Sequence, residues 1–198
     1  MDIPIYKAVI NDNEDGITAI SFVNEPAVEC HFLKFGKEKK PIKFNIVDEL
    51  NRKVIAPIMR CDFPIYRYDE QLGEYYIIYT KDVIECMARK MLAENTYNKM
   101  NMEHNPFRLM CGVYLEELFI KNVEKGINPI GFENIENYSL FGVYSIENND
   151  VWEAIQRGEF NGISLEGIFT FETDEDREVK EWEEVYNLLK ECLKQNKQ

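Results

Sequence analysis

Serine and histidine are scarce in this chain: its 198 residues carry four serines, Ser21, Ser139, Ser145 and Ser164, and two histidines, His31 and His104. A mechanism resting on a serine hydroxyl and an imidazole base therefore has few ways to be assembled. Metal and redox chemistry have still less to work with. The five cysteines contain no Cys-x-x-Cys pair, which removes the sequence basis for zinc-ribbon, iron–sulfur and thioredoxin-like sites. There is no His-x-x-x-His pair, and no glycine-rich phosphate loop of the Gly-x-Gly-x-x-Gly or Gly-Lys-Ser/Thr kind. We expect no cofactor and no metal. Positive charge is also in deficit, with 23 Lys and Arg against 36 Asp and Glu and a net charge of −13. Such a surface repels phosphate backbones, and the one basic cluster, Lys37 to Lys43, reads as a solvated loop, so nucleic acid is not an expected partner. No apolar run approaches the roughly 20 residues of a membrane span. Met1-Asp2-Ile3-Pro4 lacks a basic leader, and the odd cysteine count reads as reduced thiols. The expectation is a soluble, cytoplasmic chain with no membrane association.

What is present suffices for a core: 45% of residues are apolar and 13% aromatic. Short alternating runs predict strands at Ile3–Ile10, Ile17–Val23, His31–Phe35, Val54–Met59, Phe63–Tyr68, Tyr75–Tyr79, Val113–Ile120 and Leu140–Ile146, with another beginning at Ser164. Thr80 is placed to cap a helix whose Val83, Ile84, Met87, Ala88, Met91 and Leu92 share one face. Asn149 caps a shorter helix closed by Gly158. A last helix follows Thr173-Asp174-Glu175-Asp176, with Val179, Trp182, Val185, Tyr186, Leu189 and Leu193 at 3.6 spacing. The pattern is an α+β chain dominated by a barrel-like sheet.

Ser164 is singled out by its frame. It sits in Asn161-Gly162-Ile163-Ser164-Leu165-Glu166-Gly167, at the mouth of a strand and between glycines that let a substrate backbone come close. The other three serines lack this frame. A glycine-serine turn leading into a strand differs from the strand–turn–helix elbow of α/β-hydrolases, so another scaffold is required. His104 precedes Asn105-Pro106, which holds it at a strand end or loop mouth. His31 reads as an ordinary strand residue.

Three blocks, in order, resemble the XkdF-like phage serine proteases, relatives of the tailed-phage prohead proteases and more distantly of herpesvirus assemblin. They are Gly16-Ile17-Thr18-Ala19-Ile20-Ser21-Phe22-Val23-Asn24-Glu25-Pro26-Ala27, then Asn101-Met102-Glu103-His104, then Val151-Trp152, Gly158 and Gly162-Ile163-Ser164-Leu165-Glu166-Gly167. The resemblance covers about residues 5–172. It implies a closed, mostly antiparallel β-barrel flanked by helices over residues 1–172; the amphipathic helix of 173–198 lies outside the resemblance, and its apolar stripe is expected to pack on that domain or on a partner. It also implies peptide-bond hydrolysis, with Ser164 as nucleophile and His104 as general base, side by side on neighbouring strands or strand mouths. Assemblin-type enzymes use a second histidine after the serine, and here none follows His104. A carboxylate is the natural substitute: Glu166, two residues from Ser164 on the same strand face, is preferred over Glu116 and Glu172. The implied role is capsid maturation inside the procapsid in the host cytoplasm, with capsid or scaffold protein as substrate and homodimer formation left open. The alternative is a non-catalytic phage structural or scaffold-associated protein that keeps the barrel as an interaction module.

Overall fold

A computed structural model describes residues 3–10, 15–26, 45–173, 176, 186 and 187. The readings made for His31, for Lys37 to Lys43 and for the terminal helix lie outside these residues, apart from isolated positions of that helix. In chain order the strands are β1 (Ile5–Val9), β2 (Gly16–Val23), β3 (Asn45–Asp48), β4 (Lys53–Met59), β5 (Ile65–Asp69) and β6 (Gly73–Ile78). Helix α1 (Lys81–Ala93) follows, then β7 (Met100–Met102), β8 (Asn105–Leu109), β9 (Val113–Ile120) and β10 (Leu140–Ile146). Helix α2 (Asn149–Gln156), β11 (Gly162–Ile168) and β12 (Thr170–Glu172) complete the described elements.

The α+β content agrees with the sequence reading, but the closed barrel does not. The strands form three open four-stranded sheets, ordered β12-β1-β6-β5, β3-β4-β10-β9 and β11-β2-β7-β8. Two ladders, β1–β6 and β2–β7, are parallel. Closure requires the last strand of a sheet to pair with its first, and among the described residues each sheet instead ends on two edges. Alternation reports which face of a strand is buried and is silent about which edges meet, so periodicity alone cannot separate a barrel from packed open sheets.

A single large core joins the elements. Ile20 and Phe22 from β2, Ile163 from β11, Tyr144 from β10 and Ile84 and Met87 from α1 are all at most 3% exposed. Phe22 and Tyr144 meet edge to face with centroids 5.4 Å apart, a favoured aromatic geometry. Helix α1 buries Val83, Ile84, Met87 and Met91 as its spacing predicts, although Thr80 at its N-cap makes no side-chain capping bond. In α2 the cap is Asn148 rather than Asn149, its side-chain oxygen accepting from the Val151 N–H at 3.2 Å. Gly158, at φ 74°, ends that helix in the left-handed conformation that an L side chain resists. Trp152 on the same helix is 6% exposed and joins the core.

Pro57 sits inside the buried strand β4, where it has no N–H to give the ladder. The β4–β10 pairing slips there, Leu140 facing Met59 and Phe141 facing Pro57, and the irregularity absorbs the missing donor. The other side of β10 carries a smaller cluster, with Phe141 stacked on Phe119 and edge-on to Phe132. Lys121 pins the segment over this cluster. Though 1% exposed, its Nζ donates to the carbonyls of Phe132, Ile135 and Glu133 at 2.9, 2.7 and 3.0 Å. Burial lowers its pKa, and Glu133 and Glu136 partly counter this. Lys121→Met keeps the stem and strips three carbonyls of their donor, so urea unfolding should show a loss of roughly 2–4 kcal/mol. A loss below about 0.5 kcal/mol would make the ammonium dispensable.

Candidate active site

The site is built on one face of the β11-β2-β7-β8 sheet. Ser21, near the middle of β2, faces Ser164 of β11 across one ladder and Asn101 of β7 across the other. Directly opposed residues point to the same side, so Ser164, Ser21 and Asn101 form a row of polar side chains. Glu166, two residues beyond Ser164, shares that side and lies one diagonal step from Ser21. Burial of Ile20, Phe22 and Ile163 on the opposite side fixes this orientation, since a one-residue slip would bring those side chains out of the core. At Gly167 the chain passes so close that an added Cβ would stand 2.6 Å from the Gly16 carbonyl oxygen and 2.6 Å from the Phe169 ring. The final glycine of the serine block is thus demanded by packing.

His104 reaches this face from a turn. Met102 and Asn105 pair as β7 gives way to β8, leaving Glu103 and His104 as the two central residues of a hairpin. Both have positive φ, 52° and 56°, in a turn type that favours asparagine and glycine. Each such residue costs about 1–2 kcal/mol, a strain of the kind that collects at functional sites. The turn is tied down by the Glu103 N–H, which donates to the Phe22 carbonyl at 3.0 Å. The Glu103 carboxylate in turn accepts from the Asn24 N–H at 2.8 Å.

Held this way, the imidazole Nδ1 lies 3.3 Å from Glu166 Oε1 and 3.2 Å from Ser21 Oγ. The same carboxylate oxygen accepts from Ser21 Oγ at 2.5 Å and from Asn101 Nδ2 at 2.8 Å. Ser21 Oγ is also 2.7 Å from Asn101 Oδ1. Burial works to raise the Glu166 pKa, but the bonds from Ser21 and Asn101 and the nearby imidazole outweigh it, and the carboxyl ends below its ordinary value. Glu166 is therefore an anion at neutral pH. Ser21 and Asn101 are 0% and 3% exposed, whereas the His104 side chain is 46% exposed.

This placement differs from the sequence reading at several points. Ser164 and His104 belong to one open sheet, but their strands β11 and β7 are not neighbours, because β2 runs between them. Ser21, set aside for want of glycines, stands beside the imidazole, while Ser164 Oγ makes no hydrogen bond among the described residues. The signal available for Ser21 was its polarity between Ile20 and Phe22 within a strand, which marks the side of the sheet away from the apolar face. Asn101 carries no signal of its own inside the histidine block, and only the β2–β7 pairing gives it meaning. Of the three carboxylates considered, Glu166 is the one in contact with His104. Glu116 lies on β9 in another sheet and pairs with Lys53 at 2.5 Å. Glu172 lies on β12, opposite Lys7 in a third sheet. Cys61 offers no competing nucleophile, since burial pushes its thiol up to about 12.

A half-exposed imidazole backed by an ionised carboxylate, on a sheet face that also presents serines, is the arrangement by which hydrolases activate a hydroxyl. The chain belongs to the family described as "Putative phage serine protease XkdF", whose model matches residues 65–172, more than half of its length. The matched segment contains Asn101, His104, Ser164 and Glu166, and Ser21 lies before it. No curated protein matches the chain. No solved structure matches it either.

Proposed function

We propose that this protein is a serine endopeptidase in which Ser164 is the nucleophile, His104 the general base and Glu166 the carboxylate that orients the base. The observation that carries the reading is the Nδ1 contact of His104 with Glu166 Oε1 at 3.3 Å. A base needs its acceptor on one ring nitrogen and its nucleophile on the other. Glu166 and Ser21 both face Nδ1, so Nε2 is the nitrogen left for the reacting serine. Ser164 suits that part better than Ser21. Its hydroxyl is uncommitted among the described residues, and it lies within the segment that the family model matches, which Ser21 precedes. In the reaction, Ser164 Oγ adds to the peptide carbonyl carbon while its proton passes to His104 Nε2. Collapse breaks the C–N bond as the imidazolium protonates the leaving amine, and water then hydrolyses the acyl-enzyme by the same proton path.

The substrate we propose is phage capsid or scaffold protein, cut within the procapsid in the host cytoplasm; self-association is compatible with this, and neither nucleic acid nor membrane enters the scheme. Family membership supports the phage context. The test has two parts. A fluorophosphonate probe should label the full chain once, with peptide mapping placing the adduct on Ser164. Co-expression with the capsid and scaffold proteins of the same phage should yield cleavage products by mass spectrometry. A second reading, a non-catalytic structural or scaffold-associated protein, is favoured by the missing hydrogen bond between Ser164 and His104. Absence of both labelling and cleavage would select it.

A further inference from the structure

The polar row contains two side chains that the reaction as drawn does not use, and both are buried against the carboxylate that it does use. Ser21 Oγ and Asn101 Nδ2 converge on Glu166 Oε1 at 2.5 and 2.8 Å, on the very oxygen that faces His104 Nδ1. Buried polar groups on a strand are retained where their bonds are made, and here the bonds lead to one carboxylate, to each other and, from Ser21 Oγ, to His104 Nδ1 at 3.2 Å. We infer that Ser21 and Asn101 are positioning residues, which hold the Glu166 carboxylate against His104 and set how readily the imidazole takes up a proton. The inference rests on the reading of His104 and Glu166 given above.

The physical argument runs through proton supply. Ser21 has one hydroxyl proton and two acceptors for it, Glu166 Oε1 and Asn101 Oδ1, while its oxygen lies 3.2 Å from His104 Nδ1 and can accept the proton that nitrogen carries. A charged acceptor makes the stronger bond, so the proton goes to the carboxylate. Asn101 Nδ2 gives Glu166 a second donor, and the ladders of β2 with β11 and β7 leave neither donor free to wander. Two donors on one oxygen spread its charge and stop the carboxylate rotating away. The base therefore faces a fixed, partly neutralised anion. Two further charged side chains belong to the imidazole's own hairpin. Glu103 is engaged by the Asn24 N–H, and Arg108 reaches the Met102 sulfur. From β2 and β7 the side chains bonded to this group are the uncharged Ser21 and Asn101.

Removing a donor has a signed consequence. With Ser21→Ala the carboxylate is less neutralised, and its fuller charge beside the imidazolium outweighs the loss of the uncharged Oγ from Nδ1. His104 therefore stays protonated to higher pH. The acid limb of the fluorophosphonate labelling rate, measured on the full chain against pH, should move up by about 0.5–1 unit. The plateau rate should fall roughly tenfold to a hundredfold as the geometry loosens. Asn101→Leu, which nearly keeps the side-chain volume, removes the other donor and should move the limb in the same direction. Ser21→Thr keeps the hydroxyl and should restore the wild-type limb. If Ser21→Ala and Asn101→Leu slow labelling equally at every pH with the limb unmoved, the two residues are structural and the inference is overturned. Loss of labelling in Ser21→Ala with retention in Ser164→Ala would also overturn it, by making Ser21 the nucleophile. Should wild-type labelling be absent, or persist unchanged in His104→Ala, the underlying catalytic reading fails first, and the two failures are told apart.

Discussion

Ser164→Ala should abolish fluorophosphonate labelling and substrate cleavage while the protein stays folded. Loss of a serine nucleophile removes rate on the order of 10⁶ in hydrolases of this kind, since no other group can form the acyl intermediate. Stability should be nearly untouched. The Ser164 hydroxyl makes no hydrogen bond among the described residues, so no partner is left unsatisfied and the change in unfolding free energy should stay within about 1 kcal/mol. The contrast with Ser21 makes the experiment decisive. Both serines are buried on the same side of one sheet, directly opposed in the β2–β11 ladder, yet Ser21 is bonded to Glu166 and Ser164 is not. Residual activity should therefore survive in Ser21→Ala and vanish in Ser164→Ala. Wild-type cleavage by the Ser164 variant would falsify the assignment of the nucleophile.

The second large effect concerns the base and its carboxylate. His104→Ala should lower turnover by about 10²–10⁴, as expected when a general base is lost. In the wild type, activity should fall as pH drops, because only the neutral imidazole accepts the serine proton. Glu166→Gln keeps the volume and removes the charge that holds the Nδ1 proton and stabilises the imidazolium, so turnover should again fall by about 10²–10⁴. The acid limb should then shift to lower pH, opposite to the shift expected for Ser21→Ala, since an anion beside the imidazole has been lost rather than exposed. Glu116→Gln and Glu172→Gln serve as controls and should remain active, Glu116 being paired with Lys53 and Glu172 lying in another sheet. Full activity in Glu166→Gln would reduce the arrangement to a serine–histidine dyad. A profile limb that stayed in place while turnover fell would mean that Glu166 supports shape rather than charge.

The extent to which the sequence alone led to this site follows from the range of the interactions involved. Strand and helix placement depends on local periodicity and turn chemistry, and β2, β4, β6, β9, β10, α1 and α2 fall close to where alternation and helical spacing put them. The side of the strand on which Glu166 sits relative to Ser164 follows from the two-residue period and needs no tertiary information. Local periodicity does not mark the strands β3, β7 and β8. Met100–Met102 is three residues long, and Asn105–Leu109 contains a proline, so neither offers a periodic run to read. Without β7 nothing points to Asn101, which meets Ser21 only through the pairing of β7 with β2.

What the sequence by itself determined was the inventory: one framed serine, two histidines, no metal or phosphate-loop pattern, and a carboxylate fixed on the serine's own strand face. Only the tertiary structure decided that the sheets are open rather than closed and that β2 lies between β11 and β7. It also decided that a left-handed turn brings His104 to Glu166 and Ser21. The division has a physical cause. Side-chain facing and helix stripes arise from backbone geometry within a few residues, whereas strand neighbours are chosen by the burial of whole faces across distant segments. Ser21 and Glu166 are 145 positions apart in the chain, and only the β2–β11 ladder puts 2.5 Å between them.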